Sequence, residues 1–320
     1  MTGNAVSPPP WKGALFLGVG AFTLSPWASP ALALGLGVAF ALALGNPFPA
    51  RTAALAKSLL QASVIGLGFG MSLAVVWTAG VTGIGYTVAG IALTLSLGLA
   101  LGLLLRVEPE VGLLVTAGTS ICGGSAIAAV GPAIGAKPEA ITVSLATVFL
   151  LNAVALYSFP PIGHALDLTE AQFAVWAAVA IHDTSSVVGA ATAYGPAALE
   201  TATVLKLARA IWIVPMALAA GAWAARRDPE RRAASVKIPW FILFFVLAAG
   251  TRSVSPDAFL PVLDVLTRLA KTTLVLTLFL IGAGLSRQTL QAVGARPLIL
   301  GVTLWALTGT AALMAVMRWV

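Results

Sequence analysis

The chain has 320 residues, of which 59% are hydrophobic and only 9% charged, and its mean hydropathy of +0.98 excludes a soluble globular domain. A net charge of +7 invites a nucleic-acid reading, but most basic residues sit in breaks between apolar runs and no aromatic-plus-basic face accompanies them, so that class is excluded too. Cys122 is the single cysteine, which rules out an intramolecular disulfide.

Residues 1–11 read as a short polar, proline-rich tail. The apolar stretch from Gly13 lacks a small-residue cleavage site and is taken as a first span rather than a removable signal. A bilayer core of roughly 30 Å needs about 20 apolar residues per helix. On that basis helices are expected at 12–25, 30–45, 53–76, 82–105, 111–134, 139–160, 170–194, 198–224, 238–251, 258–284 and 297–319. The second and ninth are short enough to suggest tilted or re-entrant segments. The expectation is an all-α polytopic membrane protein of roughly eleven transmembrane helices, a single transmembrane domain over residues 1–320.

The loop ARRDPERRAASVK at 225–237 carries five basic residues and marks the cytoplasmic side. With eleven spans, Lys12, Arg51, Lys57, Arg106, Arg287 and Arg296 fall on that side as well, giving eleven Lys/Arg against Lys137, Arg252 and Arg318 opposite. The chain then starts in the cytoplasm and ends outside it, in the periplasm of a bacterial inner membrane. One leading helix followed by two inverted five-helix repeats, about 30–160 and 170–319, fits the count, because an odd number per repeat inverts the second copy. That division pairs the fifth span with the tenth.

An ionisable group in the bilayer core is costly and is a site candidate by default. His182, Asp183 and Ser185 lie in AVAIHDTSSVVGAATAYG, about 16 Å into the seventh span by helical rise. Lys206 and Arg209 share a helix face in LETATVLKLARAIWIVP. Asp264, Arg268 and Lys271 form one stripe, in which the first two can pair and Lys271 is left over. Within the spans four basic groups stand against Asp183 and Asp264, a balance suited to a small, even divalent, anion. Structural alternatives stay open: a satisfied polar knot for His182 and Asp183, and snorkelling to an interface for Lys206.

The fifth span contains GTSICGGSAIAAVGPAIGAKPEA, residues 118–140. Glycine costs about 1 kcal/mol against alanine in a helix interior, and Pro132 removes a backbone hydrogen bond. Such breakers predict a discontinuous helix whose N-terminal amides attract an anion. Thr119, Ser120, Gly123, Gly124 and Ser125 are the expected neutral ligands. Close helix packing through small residues is the competing explanation, and Cys122 reads as a packing residue.

The ordered set SICGGSAIAAVGPAIGAK, IHDTSSVVGAATAYG, VLKLARAIWIVP and LFLIGAGLS resembles the YeiH-like sulfate exporter family of bacterial inner-membrane proteins, over about residues 13–319. The resemblance implies a secondary transporter exporting sulfate, sulfite or related sulfonates. It also implies a distant likeness to sodium/proton antiporter and bile-acid symporter folds, in which two broken helices cross at the membrane centre. Family members often carry glutamine after the His-Asp pair, where this chain has Ser185 and Ser186.

The expected function is therefore export of a small anion by alternating access. Its partners are that anionic substrate, the lipid bilayer and a coupling proton or sodium ion handled by His182 or Asp183. No cofactor, metal or catalytic residue is expected, and a homo-oligomer is compatible with the sequence. Two alternatives remain: a cation/proton antiporter using Asp183, and, more remotely, an intramembrane enzyme using Cys122 or Ser125 with His182.

Overall fold

The computed structural model describes residues 9–227, 240–284 and 294–320; the N-terminal tail up to Pro8 and the basic residues Arg231, Arg232, Lys237 and Arg287 lie outside them. The described residues are all-helical: α1 (Pro10–Phe22), α2 (Pro30–Ala43), α3 (Pro49–Gly68), α4 (Leu73–Leu104), α5 (Pro109–Ser120), α6 (Gly124–Ala133), α7 (Pro138–Ala165), α8 (Glu170–Ala180), α9 (Thr184–Tyr194), α10 (Pro196–Ala210), α11 (Ile213–Arg227), α12 (Trp240–Val254), a short 3-10 turn (Asp257–Phe259), α13 (Leu260–Ala283) and α14 (Ala295–Trp319).

Helix starts follow local chemistry. Proline occupies the first turn of α2, α5, α7 and α10, where its missing N–H is no loss. Thr169 and Gln172 form a reciprocal capping box at α8. Among the described residues five helices are long and apolar enough to cross a membrane, α10 and α11 counting together as one, and α3 joined to the start of α4 is a sixth candidate, bent by 107°. Arg252 and Ser253 of α12 hold that bend: Arg252 donates to the Phe69 carbonyl at 3.4 Å, and the Ser253 hydroxyl accepts from the Leu73 amide at 2.6 Å.

Two layers pack together. In the first, α1, α2, α3 and α13 meet around Phe16, Phe40 and Phe279. Here α2 and α13 cross so closely that a Cβ on Gly37 would run into the Phe279 carbonyl, and one on Gly282 into the Leu34 carbonyl. The second layer, built from α4 to α11 and α14, encloses Phe159, Phe173, Trp176 and Leu199. Leu34, Leu156, Val187 and Leu278 join the layers in one apolar cluster.

The segments expected as the fifth and seventh crossing helices each turn back on themselves. In the first, the Glu110 carboxylate accepts from the Lys137 amide at 2.9 Å. A Cβ on Gly118 would stand 2.9 Å from Ile127, and one on Gly131 would stand 3.8 Å from Leu114. These pairs mark two antiparallel arms with their turn at Ile121–Gly123. In the second, the Tyr194 hydroxyl donates to the Leu168 carbonyl at 2.5 Å, and the Tyr194 ring stacks on Phe173 at 3.8 Å. The turn lies at Ile181–Asp183.

The α5–α6 and α8–α9 units are therefore helical hairpins, not spans. This corrects the placement of Lys137: it lies at the same end of the molecule as Arg106, whose carbonyl accepts from Arg296, rather than opposite it. Between the hairpins α7 runs 28 residues, about 42 Å at helical rise, so they enter from opposite ends and meet tip to tip. The expected pairing of the fifth segment with the tenth also changes, because α13 is unbroken and its Gly282 serves the crossing with α2. The unit that shares the hairpin form of α5–α6 is α8–α9.

Candidate functional site at the hairpin tips

The tips touch. A Cβ on Gly123 would lie 3.2 Å from that of Asp183 and 3.4 Å from the His182 carbonyl carbon. Gly123 has φ +60°, a conformation that other residues adopt at a cost. Every hairpin tip leaves backbone groups without helical partners, and these tips bring four such ends together in one place. The polar residues there are distributed according to which end they serve.

Lys206 and Arg209 of α10 serve the two C-terminal ends. The Lys206 ammonium donates to the carbonyls of Ile121 (3.1 Å), Ala178 (3.2 Å) and Ile181 (2.7 Å), tying both hairpins to α10. An ammonium has three protons, so none remains for a ligand. Arg209 donates from Nε to the Ser120 carbonyl at 2.8 Å. Its Nη1 and Nη2 are buried and have no partner. Both residues are almost wholly enclosed, at 0% and 1% exposure. Cations at helix C-termini complement the negative end of the dipole, which explains how two like charges i, i+3 apart can stay buried.

Asp183 serves one N-terminal end. Its carboxylate accepts from the Ser185 amide (2.5 Å), the Ser186 amide (3.2 Å), the Ser186 hydroxyl (2.6 Å) and the Ser185 hydroxyl. With four donors on it the carboxylate is saturated, and the start of α9 is closed. The start of α6 differs. No side-chain hydrogen bond caps it. Ser125 is exposed and Gly124 half-buried against Phe149.

Other expected site residues are buried nearby. The Ser120 hydroxyl donates back to the Ala117 carbonyl at 3.0 Å, whereas the Thr119 hydroxyl and both His182 ring nitrogens are buried without a partner. The His182 amide donates to Asn152 Oδ1 at 3.0 Å, and Asn152 Nδ2 is unpartnered. Asn152 was missed by the sequence reading. Its signal was a lone amide in the apolar run VFLLNAVAL, which the cost of polar groups in lipid should have raised.

Lys271 is not brought to this place: it is exposed on α13. Asp264, expected to pair with Arg268, instead pairs with Arg252 at 2.5 Å, because α12 packs beside it at the α3–α4 bend. Among the described residues no cluster of three His, Cys, Asp or Glu side chains is placed to hold a metal ion. The tips thus bury excess positive charge on helix carbonyls, leave idle donors on Arg209, Asn152 and His182, and present one open helix N-terminus.

The family described as Conserved hypothetical protein 698 matches residues 14–301. The chain is 50% identical over 293 residues to the UPF0324 membrane protein of Bdellovibrio bacteriovorus, covering 91% of this chain and 90% of that one. It is 47% identical over 295 residues to its namesake in Geobacter sulfurreducens, covering 92% and 93%, and 46% over 282 residues to that of Bacteroides thetaiotaomicron, covering 88% and 84%. No solved structure matches the chain. With relatives this similar over nearly its whole length, and with the motifs described above, the chain belongs to the UPF0324 family of membrane proteins, the YeiH-like family.

Proposed function

We propose that the protein is a secondary transporter that exports a small anion, sulfate, sulfite or an organosulfonate, across the inner membrane by alternating access. The observation that carries the reading is the contrast between the two hairpin tips. At α9 the helix N-terminus holds its own anion, the Asp183 carboxylate. At α6 the equivalent end is uncapped, with Ser125 exposed beside it. Free amides at a helix start attract an oxyanion, and Lys206 and Arg209 add positive potential from behind the tips. In this reading Ser125 and the amides of Gly124 and Ser125 hold the anion, and the His182 ring, whose nitrogens are idle, exchanges the coupling proton.

The hairpins also suit alternating access. They enter from opposite ends, so each closes the path that the other leaves open, and a modest rearrangement between layers exchanges the two. The basic end, with Arg106, Lys137 and Arg296, is taken as cytoplasmic.

Purified protein in proteoliposomes loaded with labelled sulfite or sulfate tests the proposal. Wild type is expected to carry saturable flux, and Ser125→Leu, which blocks the exposed hydroxyl without touching the buried tip, to lose most of it. Equal flux through wild type, Ser125→Leu and protein-free vesicles would end the reading. Cation-dependent proton release insensitive to oxyanions would favour the antiporter instead.

A further inference from the structure

Arg209 is bonded on one side only. Its Nε holds the Ser120 carbonyl, while Nη1 and Nη2 are buried without partners. They face α4, where Gly90 leaves them room: a Cβ there would stand 3.4 Å from Nη1 and 3.8 Å from Nη2. Arg209 borders a void of about 10 Å³ lined also by Tyr86 and Thr87, space for about one water molecule.

That void has a larger neighbour. Gly83, Tyr86, Val175 and Leu205 line both it and a cleft of about 640 Å³ between α4, α8, α10 and the end of α14. The cleft lies in the size range of small-molecule sites, and its walls are mostly apolar, with Val75, Ala79 and Trp319 among them and Thr78, Tyr86 and Thr201 bearing hydroxyls. An inorganic oxyanion gains nothing from such walls, because it would lose hydration and bury no hydrocarbon. A hydrocarbon chain does gain, and a guanidinium with two idle nitrogens matches the paired oxygens of a carboxylate or sulfonate.

We infer that the cleft binds an amphiphilic monoanion, its carboxylate or sulfonate head on Arg209 Nη1 and Nη2 and its alkyl tail along α4 toward Trp319. The head reaches Arg209 past Tyr86, Val175 and Leu205, the side chains common to both cavities, which must part to admit it because the void alone holds about one water molecule. This rests on the reading of the hairpin tips as an anion path, and it adds anions that carry an apolar tail to the small oxyanions proposed there.

The test uses full-length protein in lipid nanodiscs and octanoate brominated at its tail end, a short-range quencher of tryptophan. The Trp319 signal is isolated by subtracting a Trp319→Phe protein. Saturable quenching is expected, displaced by octanesulfonate and not by inorganic sulfate. Arg209→Gln should weaken the apparent affinity at least tenfold. Thr78→Phe, which fills the cleft from an exposed position on α4 away from the tips, should abolish saturable quenching with the thermal midpoint retained, so the test survives if Arg209→Gln fails to fold. Quenching that is linear in wild type and unchanged in Thr78→Phe would mean the quencher acts from the bilayer, and would overturn the assignment. Displacement by sulfate as effective as by octanesulfonate would do so too, as would loss of octanoate binding in discs rich in phosphatidylglycerol, which would assign the cleft to an anionic lipid. Sulfite flux without saturable quenching removes the cleft assignment alone; saturable quenching without any anion flux removes the transport reading alone.

Discussion

The basic pair on α10 shows how one turn of helix separates two roles. Lys206 spends all three protons on carbonyls of both hairpins, so it acts as a staple whose charge is felt but whose donors are occupied. Arg209 makes one such bond and keeps two nitrogens idle. Losing a charged donor to a buried carbonyl removes roughly 1.5–3 kcal/mol per bond, and the stranded acceptors add to it; relief of burying a charge offsets part of this. Lys206→Met is therefore expected to destabilise the protein by about 3 kcal/mol, against about 1 kcal/mol for Arg209→Gln, which loses one bond. Anion binding should rank the other way, with Arg209→Gln the more damaging per degree of thermal midpoint lost. Paired thermal melts and flux measurements check both rankings; an Arg209→Gln protein with wild-type transport would remove its direct role.

Among the elements, the two hairpins are alike in their turns and unlike in their caps. Asp183 in front of α9 is an N-cap with four donors on it, and asparagine ranks with aspartate as a cap. Asp183→Asn is expected to retain most stability and anion flux, while Asp183→Ala should cost about 1–2 kcal/mol. If Asp183 instead binds a cation, the asparagine variant loses transport as completely as the alanine one. At the partner tip, Gly123 sits at φ +60° and 3.2 Å from Asp183 for any added Cβ. Gly123→Ala should cost at least 1–2 kcal/mol from backbone handedness alone and disturb the contact between tips, read as a lowered melting midpoint together with reduced flux. Part of this was legible: the glycines of TSICGGS marked the break in the first hairpin, whereas HDTSS stood out as a polar run within an unbroken seventh helix and lies instead at the turn of the second hairpin. Which way the chain leaves each break was not legible. A broken crossing helix and a hairpin share one composition, and the difference is carried by contacts far apart in sequence, Glu110 with Lys137 and Tyr194 with Leu168.

At the scale of the whole molecule, a compact bundle of α2, α3 and α13 lies against a layer that carries both hairpins, and the joint is apolar. The stripe containing Lys271 was misread as interior because spacing along a helix defines a face but not what that face meets. Here the buried face of α13 is the one with Leu274, Leu278 and Gly282, pressed on its neighbours. The hairpins also redraw the topology without moving either terminus, since turning two crossings back changes the count by an even number. Two loops change sides as a result: in an eleven-span chain the start of α7 lies opposite Arg106 and the end of α7 lies beside it, whereas here the start of α7 is beside Arg106 and its end is opposite. Single cysteines at Glu108, Glu139 and Ala165 in a Cys122→Ser background separate the two arrangements, since all three positions are exposed and Cys122 itself is buried. A membrane-impermeant maleimide applied to intact cells and then to inverted vesicles is expected to label Glu108→Cys and Glu139→Cys from one face and Ala165→Cys from the other. Labelling of Glu108→Cys and Ala165→Cys from a common face, with Glu139→Cys opposite, would restore eleven crossings and remove the meeting of two hairpin tips on which the proposed anion site depends.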